Sequence, residues 1–238
     1  MQEPVELSPI VSLRTALLLM VGVILGALLA AMVAPYWIPG LAESLAGSSP
    51  KAYWYLSRAS GLVGYVFLWL SVTLGLLITG KVSRIWPGGP AAFDVHQFVS
   101  LLGIAFALFH GFILLGDKYM SFTVLNILVP FSTTEYRPAW VGLGQVGLYL
   151  VVIIGFSFYM RQRIGPRRWR LLHYGSFAVY LLVFVHGLIA GTDTGAPAIV
   201  VLYAATGGVT YFFLVYRILT AVREQRRPHS VPRLSPER

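Results

Sequence analysis

Two apolar stretches of membrane-spanning length each carry two histidines. Residues 94–115, DVHQFVSLLGIAFALFHGFILL, contain His96 and His110, and residues 169–190, WRLLHYGSFAVYLLVFVHGLIA, contain His173 and His186. About 20 apolar residues suffice to cross the hydrocarbon of a bilayer. Strongly polar side chains inside such a span are rare, face the bundle interior and mark function. The fifth histidine, His229, lies near the C-terminus. One intramembrane histidine is accounted for by a hydrogen bond to a neighbouring helix. Two on each of two spans call for a further reason.

The rest of the chain is organised around these spans. Of 238 residues, 57% are hydrophobic and 11% charged, against about 25% charged in a soluble domain. Apolar runs place six spans at about 14–34, 53–79, 94–115, 140–160, 169–190 and 198–219. The expected organisation is an N-terminal tail, anchor helix and loop (1–52), a six-helix bundle's remaining five spans (53–219) and a basic, disordered cytoplasmic tail (220–238). The first apolar run is longer than the about 7–15 residues of a signal-peptide core, so it reads as a retained anchor. Asp94 is placed as the N-cap of the third span. Residues 116–139 form the longest interior connection, with an apolar segment at 124–129 that either lies along the interface or caps the bundle. Cysteine is absent, which excludes disulfides, thioether-attached haem and thiolate-held iron–sulfur clusters.

The net charge is +9. One side of the alternating loops holds Arg14, Lys81, Arg84, the five arginines of 161–170 and the six from Arg217 onward. The other side holds only Lys51, Arg58, Lys118 and Arg137. The richer side is expected in the cytoplasm, with both termini there. Basic residues divided between spans in this way sort topology and do not form a nucleic-acid face.

Spacing gives the histidines a geometry. His96 and His110 are 14 residues apart, so on a helix they share a face, about 21 Å apart along the axis. His173 and His186 are 13 apart, about 20 Å along the axis but about 140° apart around it. The third and fifth spans run parallel. His96 and His173 therefore share one depth, and His110 and His186 another. One imidazole from each of two helices at each of two levels suits two six-coordinate haems, with iron held axially and cofactor sites built between facing helices. Zinc or copper needs its ligands converging at one point. A proton relay usually includes carboxylates, and the last four spans hold none beyond Asp94. Arg58 is a candidate partner for an outer haem propionate, with a snorkelling interface residue as the other reading. Arg168 and Arg170 stand before His173 as candidates for the inner haem, against a plain positive-inside loop. Gly103, seven residues from both His96 and His110, leaves room for macrocycles or packs a helix. These residues leave open a haem carrier or haem-based sensor, and a haem-free permease or scaffold.

Arg58-Ala59-Ser60-Gly61 opening a span, the histidines 14 apart, then Trp169-Arg170-Leu171-Leu172-His173 and a histidine 13 further on resemble the ferric reductase-like transmembrane domain. That family includes eukaryotic ferric reductases, NADPH oxidases and the haem subunit of the bacterial periplasmic methionine-sulfoxide reductase system. The resemblance covers about 53–219. It implies two b-type haems, His96 with His173 for the inner iron and His110 with His186 for the outer, and electrons moving outward. It also implies a multi-pass protein of a bacterial plasma membrane. Only 19 residues follow the last span, without a G-x-G-x-x-G turn. The expected donor is therefore a separate cytoplasmic flavoprotein reductase or a quinol, with any flavin carried by that partner. Ferric iron, oxygen and a periplasmic redox protein are the candidate acceptors. Whether the chain is an oxidoreductase or its electron-transfer subunit stays open.

Overall fold

The computed structural model describes residues 9–38, 40–47, 51–80, 89–118, 120–134 and 136–225. Among these every regular element is helical: α1 Leu13–Val33, α2 Leu41–Ala46, α3 Ala52–Thr79, α4 Gly89–Phe112, α5 Val124–Leu128, α6 Pro138–Ser157, α7 Arg161–Ile164, α8 Pro166–Ala190 and α9 Pro197–Gln225. Among the described residues five helical rods are long and apolar enough to cross a membrane: α3, α4 with its 3-10 extension, α6 continued through α7, α8 and α9. The protein is thus an all-helical bundle suited to a multi-pass membrane protein. The helix expected first, α1, forms over 21 residues. Its start is capped by Ser12, whose hydroxyl accepts from the Thr15 amide at 3.1 Å.

Proline sets where the spans begin. Pro138, Pro166 and Pro197 are the first residues of α6, α8 and α9, and Pro90 is the second of α4. A proline in the first helical turn loses no hydrogen bond and has its φ preset. This corrects the reading of Asp94 as an N-cap: α4 starts at Gly89, and Asp94 is an exposed residue inside the helix. The arginine-rich loop expected over 161–170 is also mostly helix. Arg161–Ile164 continues the α6 rod, and Gly165 alone makes the turn into α8, at φ +84°. Only glycine adopts that φ without strain. At the C-terminus α9 runs to Gln225, so 220–225 is helix rather than disordered tail. The remainder of that tail, including His229, and most of the 80–93 loop lie outside the described residues.

Two antiparallel hairpins make the bundle. α3 and α4 approach to backbone contact: a Cβ at Gly64 would sit 3.4 Å from the Ala107 nitrogen, and one at Gly103 3.4 Å from the Leu68 nitrogen. Gly103 packs α4 closely against α3 and also borders the cavity beside His110 and His186. α6 and α8 form the second hairpin, with Gly147 against Val183. α9 closes the bundle over a buried cluster of Tyr65, Val72, Leu76, Tyr180 and Tyr203. Tyr65 and Thr206 join α3 to α9 through their hydroxyls, 2.5 Å apart. Outward-facing positions are large and apolar, as with Leu181, Val201 and Phe212, the surface lipid tails require.

The 116–139 connection caps one end of the bundle. Thr123 and Asn126 form a capping box that starts α5. Gln145 of α6 donates to the carbonyls of Asn126 and Ile127 at 2.6 and 2.8 Å, and accepts from the Phe131 amide at 3.3 Å. Tyr149 donates to the Leu128 carbonyl.

Candidate functional site

The register of α3 on α4 places the first two histidines. Position 57 meets 110, 64 meets 106 and 107, 67 and 68 meet 103, and 71 meets 96. His110 Nδ1 lies 2.7 Å from the Ser57 carbonyl oxygen, and His96 Nδ1 lies 2.9 Å from that of Ser71. On the other hairpin, His186 Nδ1 lies 2.9 Å from the Trp140 carbonyl oxygen. A carbonyl only accepts, so in all three rings Nδ1 carries the hydrogen. Nε2 is then left with its lone pair.

Each of these carbonyls is followed four residues later by a glycine: Gly61, Gly75 and Gly144. A helical side chain covers the turn before its own Cα, so a glycine there uncovers the carbonyl for an outside donor. The fit is tightest in two places. A Cβ at Gly61 would lie 2.8 Å from His110 Nδ1, and one at Gly144 2.6 Å from His186 Nδ1. At Gly75 the nearest His96 atom would be 3.7 Å away. The hydroxyls of Ser57 and Ser100 back the α4 pair by donating to the carbonyls of His110 and His96.

These seats bring the histidines together in two pairs. His96 and His173 have ring centroids 6.1 Å apart with planes at 77°, and His110 and His186 are also 6.1 Å apart, at 71°. A metal–imidazole bond is about 2 Å and a ring nitrogen lies about 1 Å from its centroid, so two imidazoles bonded to one metal from opposite sides have centroids about 6 Å apart. Both pairs meet that requirement. Around His110 and His186 lies a cavity, partly open to the outside and bordered by Arg58, Tyr65, Gln145 and Tyr203. Among the described residues no three His, Asp or Glu side chains converge. Each pair therefore offers two nitrogens and no more, which suits axial ligation of a macrocycle and not a zinc-type site.

The 13-residue spacing on α8 has a visible consequence. The helix is unbroken from Pro166 to Ala190, with no distortion at Gly175 or Ser176 to realign the rings. His186 therefore bonds to a carbonyl of α6, a bond His173 does not make among the described residues. His173 stacks instead on Trp169 of its own helix, centroids 5.1 Å apart and planes at 28°, and its buried Nδ1 has no hydrogen-bond partner among the described residues.

The arginines fare differently. Arg58 lines the cavity, but its guanidinium is paired with Asp193, Nε donating to Oδ2 at 2.7 Å and Nη2 to Oδ1. Arg168 and Arg170 are exposed at the other end of the bundle, where α8 begins. Sequence reasoning did not single out Ser57, Ser71, Gly144, Gln145 or Asp193. Ser57-x-x-x-Gly61 and Ser71-x-x-x-Gly75 repeat at the same 14-residue interval as the α4 histidines, a signal present in the sequence. The Trp140 carbonyl leaves only the glycine at 144 as its trace. No protein-family model matches this chain, and no curated protein or solved structure does either.

Proposed function

We propose that the chain is a six-span, di-haem b-type cytochrome that carries electrons across a membrane, in the manner of the ferric reductase-like domain it resembles. The observation that carries this reading is the pair of 6.1 Å imidazole contacts, one at each end of the bundle. Three of the four rings present a fixed tautomer with Nε2 free, the arrangement usual for metal-ligating histidine. Haem bound at the two levels would supply a one-electron couple at each. The chain's part is to hold the ligands at two depths, about 21 Å apart on α4, and to surround them with apolar helix that excludes water and ions. Arg58, already neutralised by Asp193, adds no net charge at the mouth of the outer site.

α1 is the sixth span in this reading. The Ile10 amide, just before α1, donates to Gln97 Oε1 at 3.4 Å, at the His96 end of the bundle. α3 begins at the opposite end, beside His110. The 21 residues of α1 measure about 31 Å, the thickness to be crossed between them. The arginine-rich end is cytoplasmic by the charge rule, with both termini there, in a bacterial plasma membrane. A separate flavoprotein reductase or a quinol supplies electrons, and ferric iron, oxygen or a periplasmic redox protein accepts them. The chain is then an electron-transfer subunit.

Purified protein examined by visible spectroscopy before and after dithionite tests this. Two low-spin haems per chain are expected. His110→Ala or His186→Ala should remove one haem and spare the other, and His96→Ala or His173→Ala should do the reverse. Absence of a Soret band, or loss of both haems together from every single variant, would overturn the reading.

A further inference from the structure

We propose that His173 is the exchangeable ligand among the four histidines, and that Trp169 is the positioning residue that keeps it in place. The proposal rests on the haem reading above and adds an asymmetry to it. His96, His110 and His186 each donate Nδ1–H to a carbonyl on a neighbouring helix. Such a bond fixes ring orientation and raises ligand basicity. The Nδ1 of His173 is buried and has no hydrogen-bond partner among the described residues.

The cause lies in the spacing. α4 repeats its histidines at 14 residues, so one helix, α3, serves both rings by the same contact. α8 repeats them at 13, which turns the second ring about 140° away from the first. The helix beside His186 therefore cannot seat His173 in the same way. The seat is aromatic instead. Trp169 lies one turn before His173 and stacks on it at 5.1 Å. Trp169 meets Phe158 at 6.0 Å, and Phe158 meets Phe93 of α4 at 5.8 Å. The Arg161 guanidinium covers the Phe158 ring at 4.0 Å. Face contact holds the plane of the imidazole but, unlike a carbonyl acceptor, sets neither its tautomer nor its rotation within that plane. The inner level thus has one firmly seated ligand and one that yields to a small external ligand.

The test uses the full-length protein carrying its haem. Trp169→Leu keeps apolar volume but removes the stacking face. One haem of the two is expected to pass from low-spin to high-spin, with its midpoint potential alone displaced, and free imidazole is expected to restore the low-spin spectrum. Trp169→Phe keeps a stacking ring and should match the unmodified protein. Carbon monoxide added to the reduced unmodified protein should bind one haem of two, and should still bind the single haem remaining in His110→Ala. Two unaltered low-spin haems in Trp169→Leu, or carbon monoxide taken up by neither haem or by the outer one, would overturn the proposal and leave the di-haem reading standing. An unmodified protein without haem would remove both.

Discussion

An imidazole lies against α3 at Gly61 and against α6 at Gly144 because neither position has a Cβ. Adding one is a discriminating test, since the space differs among three related glycines. Gly61→Ala would place a carbon 2.8 Å from His110 Nδ1, and Gly144→Ala one 2.6 Å from His186 Nδ1. Each ring would have to leave its carbonyl, and the His110–His186 pair would open. On the proposed di-haem reading, both variants are expected to drop from two haems per chain to one, with the inner haem retained. Gly75→Ala meets only an ordinary contact, 3.7 Å from His96, and should keep both. Pyridine haemochrome quantification and the reduced spectrum check this; equal haem loss from all three variants would show that the glycines serve general packing. At this scale much was legible. The four histidines and their pairing follow from counting residues along two helices. The seats are legible too, once the serine–glycine repeat on α3 is set beside the histidine repeat on α4. Asp193 was not, because its partner Arg58 is 135 residues away in the sequence and nothing local marks a pair closed only by folding. Nor was the missing acceptor at His173, which depends on where a third helix lies.

Elements were read best where apolar length decides and least well where a turn is made by one residue. The span cores follow from hydropathy alone. The ends depended on proline and glycine chemistry that a charge-based reading overlooked: Pro90 moves the start of α4 ahead of Asp94, and Gly165 compresses an expected ten-residue loop to a single turn position. The 116–139 connection shows the opposite problem, since whether it lies flat or caps the bundle is set by one buried amide in the next span. Gln145 is 9% exposed and satisfies three backbone groups of that connection. In Gln145→Leu those groups lose their partner, with a penalty of about 1–3 kcal/mol for a buried unsatisfied group. The variant should unfold at lower temperature in detergent and be cleaved by added protease within 117–137, which the parent resists. Because Gln145 also borders the cavity around His110 and His186, on the proposed di-haem reading the outer haem should be released more readily than the inner. An unchanged melting temperature and cleavage pattern would mean that α5 holds its place without this amide.

At the scale of the whole molecule, α3, α4, α6, α8 and α9 enclose the site, whereas α1 packs substantially against none of them. Its leucines Leu18, Leu19 and Leu29 are largely exposed, at 62%, 58% and 63%. That surface is stable only in lipid, but a helix lying in lipid either crosses the membrane or rests in one leaflet. Hydropathy predicts the first without excluding the second, since it reads length and not packing. The Ile10–Gln97 hydrogen bond ties the start of α1 to the His96 end, and crossing then carries the chain to the His110 end where α3 begins. The absence of cysteine makes the distinction accessible to single-cysteine labelling. In right-side-out vesicles, Thr192→Cys is expected to react with a membrane-impermeant maleimide, whereas Arg163→Cys and Ile10→Cys should react only after permeabilisation. Labelling of Ile10→Cys together with Thr192→Cys would put the N-terminus outside and reduce the spans to five. Labelling of Arg163→Cys from outside would invert the bundle. The His96–His173 level would then face outward, and in the proposed electron path the His110–His186 level would be the one nearer the cytoplasm.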